Sequence, residues 1–502
     1  MATAPLPREA PRLQLRSGAG TFAVVAALVV PNLIRLASAP LFELVPQEAY
    51  YFLYSQHLAL SYFDHPPVLA YVLRLFTEVL GKNELSLRLA AFSLSVLTQL
   101  AWLDLARRHL GPGWDFAALL LLPTGMVTVT SLISTPDGPL LLFWTLAVHQ
   151  LYGALFESRR RCWFTAGLAM GLAFDSKYTG LFLQGGLVLF LLLSDEHRRW
   201  LRTPWPWAGL AVAQFVMTPV YAWNAQHGFA SFLFQTADRA SHSTGLGLRW
   251  TLALFGTQSA LLGVPLFIAL LALAVRPHRL VSKAPTDART ARLFLACFFV
   301  PAFLAFLGIS FVALVKPNWM MPAYVTGVIL AAGGLRRRWL WVNLAFCGLI
   351  HVLAAIELLF YPIRLQSDDT WKGWRALGRQ VEERAAQYPG AFIASADGYK
   401  TAAELRFYTA LEVYGPSVVG QPGLQFDYID PNPAMLKGRD AIFIDSVPRD
   451  FTPTLGPRVP DYLAAHFSSA DEADPIVIVE RGQVIRKFRV YSCHNYLGNV
   501  RP

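Results

Sequence analysis

Apolar windows long enough to cross a bilayer recur along most of this chain, separated by short runs of arginine, and no soluble fold can absorb that pattern. Spanning the hydrocarbon core takes about 20 residues of helix. Such windows lie near 21–39, 84–106, 113–132, 139–156, 179–194, 205–222, 251–275, 292–314, 320–334 and 339–360, with a shorter one near 162–174. The 502 residues are 54% hydrophobic and 15% charged, so the apolar side chains are destined for lipid rather than for several aqueous cores. A net charge of +10 would suit a nucleic-acid partner, but the cations sit between the windows. Arg8, Arg12, Arg16, Arg107, Arg108, Arg159, Arg160, Arg161, Arg198, Arg199, Arg202, Arg276, Arg279, Lys283, Arg289, Arg292, Arg336, Arg337 and Arg338 fall on one side once eleven spans are threaded. By the positive-inside rule that side is cytoplasmic, which puts the N-terminus inside and the C-terminus outside. The first window has no convincing small-residue cleavage site and reads as a retained helix.

The expected fold class is an α-helical polytopic membrane protein over 1–360, followed over 361–502 by a small α/β domain on the outer face. In that second part the pattern predicts a helix over 371–387 and strands over 391–396, 441–446 and 476–481. The loop 40–83 is too long for a turn and holds two amphipathic stretches, 48–60 and 68–80, suited to lying along the interface. No inverted repeat or matched pair of Gly/Pro-broken helices is expected, nor a P-loop or Rossmann fingerprint. Cys162, Cys297 and Cys347 lie in or beside apolar windows and only Cys493 in the outer domain, which gives neither a disulfide framework nor a metal cage.

Four polar groups converge on the outer side if this topology holds: Gln47-Glu48, Asp64-His65, Asp137 in Ser134-Thr135-Pro136-Asp137-Gly138, and Lys177 in Asp175-Ser176-Lys177-Tyr178. Ionisable groups near membrane depth are costly unless they line a wet cavity, so their repetition on one face points to a site. Each has a plainer reading: Asp137 as a helix cap, Lys177 as a snorkelling residue, Asp64-His65 as a turn before Pro66-Pro67.

The runs PQEAYYFLYSQHLALSYFDHPPVLAYVLRL, STPDGPLLLFW, GLAFDSKYTGLFL and KPNWMMPAY resemble the bacterial lipid-linked-sugar glycosyltransferases of the GT-C fold. The chain is similar to the aminoarabinose and galacturonic acid transferases of lipid A and, more distantly, to the protein O-mannosyltransferases. The resemblance covers about residues 20–335 in motif order and implies an inverting transfer from a polyprenyl-phosphate sugar to an acceptor hydroxyl at the periplasmic face of the inner membrane. A carboxylate must then take the acceptor proton. The family motif usually begins Asp-Glu, whereas this chain has Gln47-Glu48, and an amide cannot take a proton. Glu48 is therefore the first expected base, with Asp64 and Asp137 in reserve. Expulsion of the phosphate calls for fixed cations, for which His65, Lys177 and Lys316 are candidates. Tyr51, Tyr62, Tyr178 and Trp319 would supply flat surface for the sugar and the lipid head, and Gln47 a polar contact. No cofactor and no metal are expected, since no cluster has ligand spacing. The expected partners are the polyprenyl-linked donor and a glycolipid acceptor. A protein acceptor, and a transporter or flippase for lipid-linked sugars, remain open alternatives.

Overall fold

The structure is a computed structural model that describes residues 17–238, 245–278, 286–363, 365, 367–430, 433–449 and 459–498; Arg8, Arg12, Arg16, Arg279 and Lys283 lie outside them. The helical part opens with α1 (Ser17–Ser38), α2 (Pro46–Gln56), α3 (Val68–Leu80), α4 (Glu84–Leu110), α5 (Trp114–Leu121), α6 (Gly125–Leu132), α7 (Asp137–Leu155), α8 (Arg161–Ser176) and α9 (Leu181–Leu193). Further helices follow over Pro204–Val216, Thr218–Gln226, Leu248–Leu262, Val264–Val275, Thr286–Ile309, Met321–Ala332 and Arg337–Phe360. Among the described residues, Thr21–Leu41, Glu84–Leu110, Ala288–Ile309 and Arg337–Phe360 are each long and apolar enough to cross a membrane, and α5 with α6 together pass the same test as a bent pair, a broken span or a re-entrant loop. The other expected windows hold shorter or less apolar helices.

Three windows expected to be continuous are broken: 205–222 at Met217, and two others where a polar side chain from another helix repairs the break. α5 and α6 meet at a 62° bend around Pro123. A proline removes a ladder donor and frees carbonyls that lipid cannot satisfy. Arg35 of α1 supplies the missing donor, with Nη2 2.8 Å from the Leu122 carbonyl, while its other nitrogens reach Thr128 and Asn32. The 251–275 window breaks at Gly263, whose φ of +90° suits only glycine. A β-carbon there would stand 2.2 Å from Asn343 Oδ1, and Asn343 takes the Leu266 N–H and donates to the Leu262 carbonyl. The expectation of unbroken helices is thus corrected at Met217, Pro123 and Gly263, the last two each mended by one polar side chain.

Glycine spacing sets the position of α8. A β-carbon on Gly167 would fall 2.2 Å from the Gly209 carbonyl oxygen, and one on Gly171 would fall 2.5 Å from Val216 Cβ. Only hydrogen at both positions lets α8 lie directly on the Pro204–Val216 helix, the small-residue packing that membrane helices favour. Gly180 permits the turn after α8 to fold back onto Ala173. The end of α8, where Lys177 begins that turn, is therefore fixed by backbone contact.

The C-terminal domain carries a five-stranded sheet ordered β2 (Val413–Tyr414), β1 (Phe392–Ala394), β3 (Ala441–Ser446), β5 (Gln483–Tyr496), β4 (Phe467–Glu480). β1 runs parallel to β2 and β3, and β5 antiparallel to β3 and β4. The helix Trp374–Ala385 and strands β1, β3 and part of β4 match expectation; β2 and β5 were not foreseen.

Two carboxylates meet where β1 and β3 end. Ser395 Oγ lies 2.8 Å from Asp397 Oδ1 and 3.3 Å from Asp445 Oδ1; Thr401 and the Ser446 N–H complete Asp397, and Tyr462 and the Ala396 N–H complete Asp445. Burial, then the charge of Asp445, raises the Asp397 carboxyl above the usual carboxylate range. An acid whose folded pKa is raised favours the fold while protonated, so its contribution is complete below the unfolded pKa and is lost as pH rises through the folded one. Amide exchange in β1 and β3 is therefore expected to accelerate as pH rises from about 4 towards neutrality, after correction for intrinsic rates, by at most about tenfold per pH unit for one proton. Asp397→Asn should flatten that dependence; an unchanged slope would dismiss the pair as its source.

Candidate active site

α2 begins with Pro46 in the first helical position, where its missing N–H costs nothing, and places Glu48 one turn in. Glu48 has no exposed surface. Arg88 Nη1 lies 2.7 Å from its Oε1 and 2.6 Å from its Oε2, the Ser134 N–H donates to Oε1 at 3.0 Å, and the Val45 N–H reaches Oε2 at 3.3 Å. Arg88 in turn donates to the carbonyls of Leu132 and Glu43 and stacks over Phe42. This ion pair locks the first loop to α4 and to the Ser134-Thr135-Pro136-Asp137 turn. Saturated with donors and sealed from solvent, Glu48 does not have the surroundings of a base that must meet a substrate.

Asp64 lies in the loop between α2 and α3. Its Oδ1 accepts from the hydroxyls of Tyr54 and Tyr50, one turn apart on α2, and Gln235 donates to its main-chain carbonyl at 2.6 Å. Tyr51 sits on the same helix and meets the edge of the His65 ring, with centroids 5.6 Å apart. Tyr62 stacks on Tyr54 at 4.2 Å, donates to the Tyr54 carbonyl, and has no exposed surface. It braces the aromatic wall from behind, which corrects its reading as a surface for the sugar.

Asp137 occupies the first position of α7 with Pro136 as the cap, and its carboxylate leaves the helix end altogether. Oδ1 lies 2.7 Å from Lys177 Nζ, and Oδ2 accepts from Asn318 Nδ2. Lys177 is buried like its partner, with its ammonium on Asp137. Three of the motifs, STPDG, DSKY and KPNW, therefore meet in one Asp–Lys–Asn cluster. Lys316 is exposed two residues before Asn318, and Trp319 packs on Phe306 at 5.8 Å. The Tyr178 hydroxyl bonds Ser231, and Tyr178 lies in the field of Asp64.

One wall came from where sequence reasoning did not look. Gln47 Nε2 donates to Asp369 Oδ1 at 2.8 Å, the Tyr399 ring stands 4.4 Å from that of Tyr50, and the Gln425 N–H donates to the Tyr50 hydroxyl. Gln425 also accepts the Phe63 N–H at 2.7 Å, next to Asp64. Asp369, Tyr399 and Gln425 all belong to the C-terminal domain, more than 300 residues from the loop they touch. Asn318 and Arg88 were likewise unassigned. Asn318 could have been found, since it lies inside a quoted motif.

Residues 64–223 match the family described as dolichyl-phosphate-mannose-protein mannosyltransferase. The chain is 30% identical over 415 residues to the lipid A galacturonosyltransferase RgtD of Rhizobium johnstonii, covering 79% of this chain and 85% of that protein. Its structure is similar to ArnT from Cupriavidus metallidurans in the apo state, with a TM-score of 0.63 at 16% identity over 94% of this chain and 98% of that one. Against the same protein bound to undecaprenyl phosphate the TM-score is 0.60 at 18% identity, over 95% and 98%. These structural likenesses speak to the fold, and the extent of the sequence match speaks to descent. On that match this chain belongs to the GT-C family of lipid-linked-sugar glycosyltransferases.

Proposed function

We propose that the protein transfers a sugar from a polyprenyl phosphate to a hydroxyl of lipid A, at the periplasmic face of the bacterial inner membrane and with inversion at the anomeric carbon. The observation that carries this is Asp64, aimed by two tyrosine hydroxyls, with Tyr178, the residue that follows Lys177, in its field. The acceptor oxygen bonds to the anomeric carbon, the bond from that carbon to the phosphate oxygen breaks, and the acceptor proton passes to Asp64. A phosphate leaves as a stable anion and needs no proton, so one carboxylate base suffices. Lys177 and His65 supply positive charge where the phosphate develops its own, His65 when protonated. Asp137 and Asn318 hold the lysine in place. Similarity to a lipid A galacturonosyltransferase supports the acceptor class, and the fold shared with a structure holding undecaprenyl phosphate supports the donor class.

The test is transfer by the purified protein from polyprenyl-phosphate sugars to lipid A, followed by mass spectrometry of the lipid. A mass increase of one sugar on lipid A is expected. Modification of a Ser/Thr peptide instead would move the acceptor to protein, and transfer from a nucleotide sugar alone would overturn the donor.

A further inference from the structure

Gln47, Asp369 and Lys400 come from three distant stretches of the chain and meet on one oxygen. Asp369 Oδ1 accepts from Gln47 Nε2 at 2.8 Å and lies 3.0 Å from Lys400 Nζ. The Asp369 side chain keeps 46% of its surface exposed and that of Lys400 25%. An ion pair so open to water adds little to stability, so stability does not account for the convergence. Its chemistry does. An amide N–H and an ammonium within hydrogen-bond reach of one oxygen are the donors of a carboxylate or phosphate site, and a half-exposed aspartate is an occupant that another anion can replace. The place is also right. Tyr399, next to Lys400, packs on Tyr50, and Tyr50 holds Asp64.

We propose that Gln47 and Lys400 form a specificity site for an anionic group of the substrate, with Asp369 as the built-in competitor that keeps the two donors aligned until substrate displaces it. This rests on the transfer reading above and adds to it a residue of the C-terminal domain. The shared chemistry is an anionic oxygen, available from the carboxylate of a uronic acid on the donor or from a phosphate on the glycolipid acceptor. Lys400 and Gln47 touch that group and take no part in bond making.

The experiment compares wild type, Lys400→Met, Lys400→Arg and Asp369→Asn on uronosyl and neutral hexosyl polyprenyl phosphates, each with phosphorylated and dephosphorylated lipid A. Lys400→Met should lower kcat/KM about ten- to hundredfold wherever the recognised anion is present, mainly through KM, and Lys400→Arg should restore most of it. A loss confined to the uronosyl donor identifies the sugar carboxylate; a loss confined to the phosphorylated acceptor identifies the lipid phosphate. Asp369→Asn should lower KM for the same substrate, because it weakens the competitor, whereas a merely structural pair would make both variants lose activity. Equal loss across every pairing, or none, would overturn the proposal. If wild type transfers nothing in any pairing, the transfer reading fails, and the anion site is judged by thermal shift. Galacturonate or inorganic phosphate should then stabilise wild type more than Lys400→Met, with galactose as the neutral control, and no difference would overturn it.

Discussion

Asp64→Asn is expected to lower sugar transfer by about 10²–10⁴-fold while leaving donor binding within a few fold. The substitution keeps shape and hydrogen-bonding capacity and removes basicity, so the loss should appear in kcat. Tyr50 and Tyr54 both direct hydroxyls at Asp64 Oδ1. Tyr50→Phe and Tyr54→Phe should therefore each cost less than Asp64→Asn, because they loosen the aim of the carboxylate without removing it. Steady-state transfer with donor binding measured in parallel checks the pattern. If Asp64→Asn turns over at the parental rate while Asp137→Asn is inactive, the base belongs to Asp137, and the Lys177 contact must then be broken during the reaction.

How far such roles could be seen in the sequence depends on how each residue earns its place. Asp137 and Lys177 stood out as ionisable residues at the ends of apolar helices, and Asp64 as half of an acid–histidine pair that a turn before Pro66-Pro67 does not need. Their partners did not. Arg88 sits near the start of α4, where one arginine reads as a flanking charge, and nothing in the local sequence says that it turns inward to Glu48. Asp369, Tyr399, Lys400 and Gln425 are ordinary surface types in a soluble stretch, and only the docking of that domain onto α2 gives them a role. The fold shows the same division. Apolar windows announced the helical part, but the breaks at Pro123 and Gly263 depend on Arg35 and Asn343, supplied by other helices. In the sheet domain, β3 was legible as a continuous apolar run, whereas β2 is two residues long and the first half of β4 alternates small and acidic residues.

Glu48→Gln should act chiefly on the folded state, a different outcome from the one its place in the motif suggests. The Glu48–Arg88 pair is buried on both sides, and taking away one partner leaves a guanidinium without its counter-charge, which typically costs 3–5 kcal/mol. Expected results are a marked fall in the yield of folded protein and in its unfolding temperature, with turnover per folded molecule reduced only a few fold. Combining it with Arg88→Met removes the stranded charge and should recover much of the lost stability, since a buried pair replaced on both sides is often close to neutral. Arg88 also holds the Leu132 and Glu43 carbonyls, so the recovery should be incomplete. Unfolding temperatures in detergent for the two single variants and the double variant give the coupling energy directly. A Glu48→Gln protein that folds normally yet loses 10²-fold or more in turnover, beside an active Asp64→Asn, would return the base to Glu48 and leave the two tyrosines as ligands of a carboxylate that only binds.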